Sequence, residues 1–425
     1  MINFLYKLFI NSQNTNNFVI EFKNLRKNTQ IEKIYSAIES YSENSKIMYV
    51  GGCIRKIIKG ETVDDIDLAV NLEPHEVSKA LKDNDIKFYE TGISHGTITA
   101  IIGSDKFEIT SLRKDTSTDG RHAKVEFTQD WHQDASRRDF TFNSIYADLE
   151  GNLFDPFNGK NNLENGQIIF VGNPEKRIKE DYLRVLGYIR FFLNYSKLKH
   201  EHSIIRAIKK NLDGLSTISS ERILDEFKKL VRSEGFLKLP HDKECLEIIN
   251  LIIPQFKKIH IFKKPNDYAK KNIKNVDFIF LISLMVIDGS DNLDYFLYKF
   301  NISNKDKARM TFINEFFKNK TNNRTFSVKN LNKILYYNGK QAVLDIISFQ
   351  IFKSKKIDKQ ITKIFEIFKF KKIPIMPISA ATLIDGYHIT PGKDLGNKLK
   401  LIEKHWVDND FEISNLEVQN LVKGT

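Results

Sequence analysis

Apolar residues recur along this chain with two periods, and the change from one to the other marks its organisation. Ile31, Ile34, Tyr35 and Ile38 fall at i, i+3, i+4 and i+7, one face of a helix, so residues 1–46 read as a mostly helical extension. From 47 to 112 the units are short and alternate. Ile47–Val50 reads as a strand running into Gly51-Gly52, Ile54–Lys59 as a short helix, Asp65–Val70 as a strand and Pro74–Lys82 as a helix. Ile86–Thr91, Thr97–Ile102 and Lys106–Leu112 read as strands, split by Gly92, Gly96 and Gly103. Residues 114–136 lack apolar periodicity and read as a flexible loop containing Asp119-Gly120-Arg121. Beyond Glu175 strand signals fade, and helical spacing such as Tyr182, Val185, Leu186, Ile189 and Leu193 persists to the C-terminus.

The expectation is an α+β head followed by an all-α neck, body and tail. The boundaries fall at 47–173 for the head, 174–260 for the neck, 261–373 for the body, and 374–425 for a tail entered through Pro374 and Pro377. The longest apolar run, Phe278–Ile287, falls far short of the ~20 residues that span a bilayer and reads as a buried helix. Met1-Ile-Asn-Phe-Leu-Tyr-Lys lacks the basic start, apolar run and cleavage site of a signal peptide, which predicts a soluble, cytoplasmic protein.

Composition narrows the function. With 41% hydrophobic and 12% aromatic residues the chain is no disordered tail, and its two cysteines, Cys53 and Cys245, exclude a disulfide scaffold and a zinc centre built on cysteines. Lys and Arg outnumber Asp and Glu 66 to 54, and a net charge of +12 favours a polyanionic partner such as nucleic acid. The lysine-rich stretches 257–274 and 353–372 read equally as RNA-phosphate contacts and as solvated faces of amphipathic helices. His241-Asp242 lacks the further His and Asp residues of a metal phosphohydrolase and reads as a surface turn.

The sharpest chemistry lies in Gly51-Gly52-Cys-Ile-Arg55 and Asp65-Ile-Asp67. On a strand, Asp65 and Asp67 share a face. Two like charges that close are costly without a cation between them, and hard oxygen donors at this spacing suit Mg²⁺. Asp64 falls on the other face and reads as solvated. Gly51 and Gly52 sit between a strand and a helix, where backbone N–H groups can cradle phosphate and Arg55 can add a charged fork.

These residues resemble the head of the class II nucleotidyltransferases, which comprise bacterial tRNA CCA-adding enzymes and poly(A) polymerases, and further motifs follow in family order. Gly92-Ile-Ser-His95-Gly96-Thr97 and Phe107-Glu108 resemble the next two strands, which makes Glu108 a candidate third carboxylate; an exposed edge-strand position is the competing reading. Arg137-Arg138-Asp139-Phe-Thr-Phe-Asn143 resembles the segment that contacts triphosphate and ribose, so the resemblance assigns Arg138 and Asp139 to nucleotide binding. Phe154-Asp155-Pro156-Phe157-Asn158-Gly159 resembles a structural turn of the family. Glu180-Asp181-Tyr-Leu-Arg184 resembles the base-reading motif, with Asp181 and Arg184 at i, i+3 on one helix face and Arg190 further along. Pro377-Ile-Ser, Gly386–Gly396 and Trp406–Phe411 resemble the tail of many CCA-adding enzymes.

Two positions depart from the pattern: Lys56 stands where the family usually has Asp, and Gly187 where it carries a further arginine. The resemblance implies template-independent transfer of nucleotides from CTP and ATP to a tRNA 3′ end, with Mg²⁺ held by Asp65 and Asp67 and pyrophosphate released. The Gly92–Thr97 segment and the tail favour CCA addition. Poly(A) addition, or an enzyme that adds only A, is the alternative that Gly187 keeps open, and intact Asp65, Asp67, Arg138, Asp181 and Arg184 argue against a bare RNA-binding module.

Overall fold

The structure, a computed structural model, describes residues 18–118, 123–319 and 323–424. The chain divides into two compact units, 1–252 and 253–425.

In the first unit α1 (18–28) and α2 (Ile31–Glu39) lead into β1 (Ile47–Val50), α3 (Gly52–Lys59), β2 (Ile66–Val70), α4 (Pro74–Asp83), β3 (Lys87–Gly92), β4 (Thr97–Ile102) and β5 (Asp105–Ser111). Next come β6 (Arg113–Thr118), β7 (Ala123–Phe127), α5 (Trp131–Arg137), β8 (Tyr146–Ala147), β9 (Leu153–Phe154) and α6 (Gly159–Glu164). Seven strands form one sheet in the order β3-β4-β5-β2-β1-β8-β9, and β6 and β7 pair apart from it as a hairpin. The β2–β5 pairing is parallel and the others in the sheet are antiparallel.

Strand β1 shows how alternation sorts the layers. Tyr49 packs on Phe22 of α1 and Tyr35 of α2, with ring centroids 5.2 and 5.6 Å away, and its backbone N–H donates to the Tyr35 hydroxyl at 3.1 Å. Val50 points the other way, into a cluster with Ala69 of β2, Leu112, Ala135 of α5 and Tyr146 of β8. Ile31, Ile34, Tyr35 and Ile38, the predicted apolar face, are all buried. Each such side chain contributes about 1.5–3 kcal/mol.

The segment 114–136 departs from expectation. Residues 119–122, which include Asp119-Gly120-Arg121, lie outside the described residues; the rest contributes to the β6–β7 hairpin and α5. Its polar residues hide the pattern, because a two-stranded ribbon has little core to face. Gly96 shows what the hairpin covers: a Cβ there would come within 2.7 Å of the Phe127 ring.

The helical part of this unit follows as α7 (Pro174–Glu180), α8 (Arg184–Tyr195), α9 (His202–Lys210), α10 (Ser220–Arg232) and α11 (Lys243–Ile252).

Among its described residues the second unit has helices and no strand. It contains α12 (Asp267–Asn272), α13 (Phe278–Val286), α14 (Asn292–Lys299), α15 (Asn304–Lys318), α16 (Val328–Lys353), α17 (Lys359–Phe370), α18 (Ala380–Tyr387), α19 (Lys393–Asp408) and α20 (Asn415–Lys423). Helix α16 bends at Gly339, whose φ of 83° no helix accommodates. The apolar run 278–287 is the buried helix predicted, with Phe280 to Val286 inside. In α17 Phe368 is buried with Ile361, Ile364 and Phe365 packed against the same core, which places the neighbouring lysines on the opposite side of an amphipathic helix. The tail has a small core of Leu383, Leu395, Ile402 and Val418, and the Tyr336 hydroxyl of α16 donates to Glu403 of α19 at 2.6 Å. Among the described residues no helix is long and apolar enough to cross a membrane.

Candidate active site

The site is built on the parallel strand pair. Asp67 on β2 lies in register with Glu108 on β5, so the two carboxylates stand on neighbouring strands. Strand β5 runs between β4 and β2, so Glu108 is on an interior strand, and the edge-strand reading is corrected. Asp65 immediately precedes β2 and, with Asp67 and Glu108, lines a cleft of about 460 Å³. Burial pushes the Asp67 carboxyl above its ordinary range. Glu108 and Asp65 push it the same way, while Arg138 and Arg55 oppose. Three oxygen donors, one reluctant to ionise beside the others, suit a hard divalent cation. Asp64 is 70% exposed and pairs at 2.9 Å with Lys56, the residue that departs from the family pattern.

The glycine turn closes over this floor. Gly51 has φ +70° and ψ −115°, a conformation closed to residues with a side chain. It turns the chain from β1 into α3. A Cβ on Gly52 would sit 3.6 Å from Asp67 Oδ2 and 3.8 Å from an Arg55 Nη, and one on Gly51 would sit 3.8 Å from an Arg138 Nη. The bare backbone is therefore what Asp67, Arg55 and Arg138 surround. Arg55 donates to Asn143 Oδ1 and lies over the Phe191 ring, 4.7 Å from its centroid. Its Nε is buried and has no hydrogen-bond partner among the described residues.

Arg138 follows α5, and Asp134 of that helix holds it. The Asp134 side chain is 1% exposed and accepts from Arg138 at 3.0 and 3.1 Å, from Arg137 at 2.7 and 2.9 Å and from the Tyr146 hydroxyl at 2.5 Å. Burial alone would push this carboxyl up. The two guanidinium groups and the Tyr146 hydroxyl outweigh it and hold the group well below the usual carboxylate range. Asp139 accepts from the Phe140 N–H at 2.7 Å and from Asn143 Nδ2 at 2.9 Å, so it orients the amide that in turn holds Arg55. Asp134 and Tyr146 lie outside the motifs, and Asn143 closes one of them without a role of its own. The i, i+3 and i, i+4 spacing of Asp134 to Arg137 and Arg138 was the available signal.

Asp155 accepts from the N–H groups of Gly159 and Lys160 at 2.7 and 2.9 Å, the structural role expected of that turn. A Cβ on Gly159 would lie 2.1 Å from the Thr141 carbonyl oxygen, so this glycine lets α6 press against the 138–143 segment.

The residues expected to read the base, Asp181 and Arg184, are arranged differently from the expectation. Asp181 ends α7 in an extended conformation and Arg184 opens α8, so they do not share one helix face. Extended Asp181 breaks the helix that their spacing alone predicted. Arg184 is paired with Glu180 at 2.8 Å and donates to the Arg137 carbonyl at 3.3 Å, while Asp181 pairs with Arg222 of α10 at 3.5 Å. Arg177, which the motifs did not name, donates to the carbonyls of Ser136 at 2.7 Å and Arg137 at 3.2 Å. Arg190 is engaged by Glu226 of α10 at 2.8 Å and lies 4.1 Å from the centroid of Phe191, the ring that also carries Arg55. Gly187 is buried, with its Cβ position 3.8 Å from Phe140. The missing arginine would thus start from an aromatic cluster.

Comparison with known proteins agrees with this geometry. Residues 47–169 match the family model described as the Poly A polymerase head domain. The chain is similar to the human CCA tRNA nucleotidyltransferase 1, mitochondrial, at 31% identity over 408 residues, 90% of this chain and 88% of that one. Its fold is similar to that of the Bacillus stearothermophilus CCA-adding enzyme in complex with CTP, with a TM-score of 0.72 and 21% identity over 92% of this chain and 95% of that one. It is also similar to that of the Thermotoga maritima CCA-adding enzyme complexed with tRNA, with a TM-score of 0.59 and 17% identity over 96% and 98%. Likeness to the human protein along nearly the whole of both chains, joined to a head of this geometry, places the chain in the CCA tRNA nucleotidyltransferase family.

Proposed function

We propose that this protein rebuilds the 3′ end of tRNA, adding C, C and A from CTP and ATP without a nucleic-acid template. The observation that carries the reading is the convergence of Asp67, Arg55 and Arg138 on the bare backbone of Gly51 and Gly52, a cradle of carboxylate, guanidinium and N–H groups. The relatives' names and the neighbours solved with CTP and with tRNA support it.

In the reaction the RNA 3′-oxygen bonds to the α-phosphorus of the nucleotide, the bond to pyrophosphate breaks, and the hydroxyl proton leaves to solvent. Gly51, Gly52, Arg55 and Arg138 bind the triphosphate, and Asp139 positions Arg55 through Asn143. Asp65, Asp67 and Glu108 have the donor chemistry to hold Mg²⁺, which when bound supplies charge neutralisation and lowers the pKa of the attacking hydroxyl. Asp181 and Arg184 read the base. A carboxylate accepts from the exocyclic amine that C and A share, and a guanidinium donates to the adjacent acceptor. Arg190 acts at one remove, through Phe191. A cytoplasmic setting belongs to the same proposal and rests on the sequence alone.

The test is incorporation by the purified protein with Mg²⁺ on tRNA ending at the discriminator base, at C and at CC, against oligo(A), with CTP, ATP or both. Two C and one A on tRNA, then a halt, is the expected result. Long A tails without use of CTP would move the assignment to poly(A) polymerase.

A further inference from the structure

Far along the chain from the carboxylates of the head, three metal-ligating side chains meet at one point in the helical part of the first unit. His200 lies between α8 and α9, and Asp242 and Cys245 lie at the start of α11. Their donor atoms are all within 4.8 Å of one another. His200 Nε2 stands 3.0 and 3.1 Å from the two Asp242 carboxylate oxygens and 3.7 Å from Cys245 Sγ. A tetrahedral zinc ion with ordinary Zn–N, Zn–O and Zn–S bonds would set such donors about 3.3–3.6 Å apart, so the two distances from His200 Nε2 lie within a few tenths of an ångström of a coordination shell. Asp242 is thus no simple surface turn. Its side chain is 22% exposed and that of His200 is 11% exposed, while Cys245 is fully buried.

We propose that His200 Nε2, the Asp242 carboxylate and Cys245 Sγ form a binding site for a borderline transition-metal dication, Zn²⁺ in particular, with water as the fourth ligand on the more open Asp242 side. The surroundings fit. The other ring nitrogen, Nδ1, is 3.0 Å from the Tyr188 hydroxyl, which can accept a hydrogen bond from Nδ1–H once Nε2 exchanges its contact with Asp242 for a metal. The His200 ring stacks on Phe192, which holds its plane. Cys245 binds as thiolate and gives its proton to solvent, so metal uptake releases a proton. A dication with one carboxylate and one thiolate makes a neutral centre, which suits a half-buried place. The bound ion ties the loop after α8 to α11. The mixed donor set explains why cysteine count alone missed it.

The test is titration of chelator-stripped, full-length protein with Co²⁺, followed by Zn²⁺. One equivalent of Co²⁺ gives a thiolate-to-cobalt charge-transfer band, which Zn²⁺ removes. Metal held at Asp65 and Asp67 gives no such band, so the two sites are told apart. Cys245→Ser and His200→Gln lose the band, and Tyr188→Phe, which keeps every ligand, weakens binding about 10–100-fold. No band in wild-type protein at excess Co²⁺ overturns the proposal, whatever the variants do. A band that survives Cys245→Ser and disappears in Cys53→Ser overturns it too.

Discussion

Asp67 and Glu108 stand in register across the parallel strand pair of the sheet, and burial and the neighbouring Glu108 together make Asp67 harder to ionise. Without a cation, Asp67 keeps its proton to higher pH than an ordinary aspartate. A carboxyl whose folded pKa is raised stabilises the fold at low pH, and that contribution is lost as pH rises through its folded value. The metal-free protein is therefore expected to lose stability over that interval and Mg²⁺ to restore it. Melting curves with and without Mg²⁺ should diverge as pH rises and coincide in acid. Asp67→Asn should abolish the divergence, melt no lower than metal-free wild type at neutral pH, and reduce incorporation by on the order of 10²–10³-fold or more.

Asp134 is expected to matter for stability as much as for activity. It neutralises two arginines from a side chain that is 1% exposed. Asp134→Ala leaves those charges uncompensated and should cost about 3–5 kcal/mol in urea unfolding. Its folded pKa lies below the unfolded value, so its contribution is present above the ordinary carboxylate range and lost only as pH falls through the depressed value. A variant that unfolds like wild type would show that Arg137 and Arg138 find other partners.

Gly187 separates a packing role from a charge role. Its Cβ position is in ordinary contact with Phe140, so Gly187→Ala fits and should stabilise α8 by about 0.8–1 kcal/mol with C and A addition unchanged. Gly187→Arg, which restores the family residue, starts a long cation against buried rings and should lower the urea midpoint. A gain of stability with arginine would mean that the ring cluster opens to admit it.

Base selection is expected to rest on Asp181 and Arg184 although they leave different helices. Asp181→Ala removes an acceptor for the amine that C and A share. It should lower the preference for CTP and ATP over UTP and GTP by roughly 10–100-fold, the worth of one charged hydrogen bond, read as ratios of kcat/KM. Unchanged ratios would assign selection elsewhere.

Much of the head could be read from residue order. Alternation placed β1, β2, β4 and β5 within a residue or two, and the Asp65/Asp67 spacing and the Gly51 turn located the cleft. Legibility failed where partners are distant in sequence. Nothing local shows that Asp139 reaches Arg55 through Asn143, or that Glu226 occupies Arg190. The β6–β7 hairpin was missed because β6, Arg113–Thr118, is wholly polar, so the alternation of Ala123, Val125 and Phe127 on β7 has no apolar counterpart on its partner strand. The break at Asp181 was missed because i, i+3 spacing is the same whether or not a helix runs through it.

One contact has a wider reach. Arg177 and Arg184 both grasp the backbone carbonyl of Arg137, and the next residue is Arg138, whose guanidinium faces the triphosphate cradle. The residues proposed to inspect the base and those proposed to grip the phosphates thus share a single peptide as their common anchor. Any displacement of Arg177 or Arg184 would therefore be felt at the peptide that precedes Arg138. On the proposed function, nucleotide choice and phosphate alignment would then be geared together through one shared peptide.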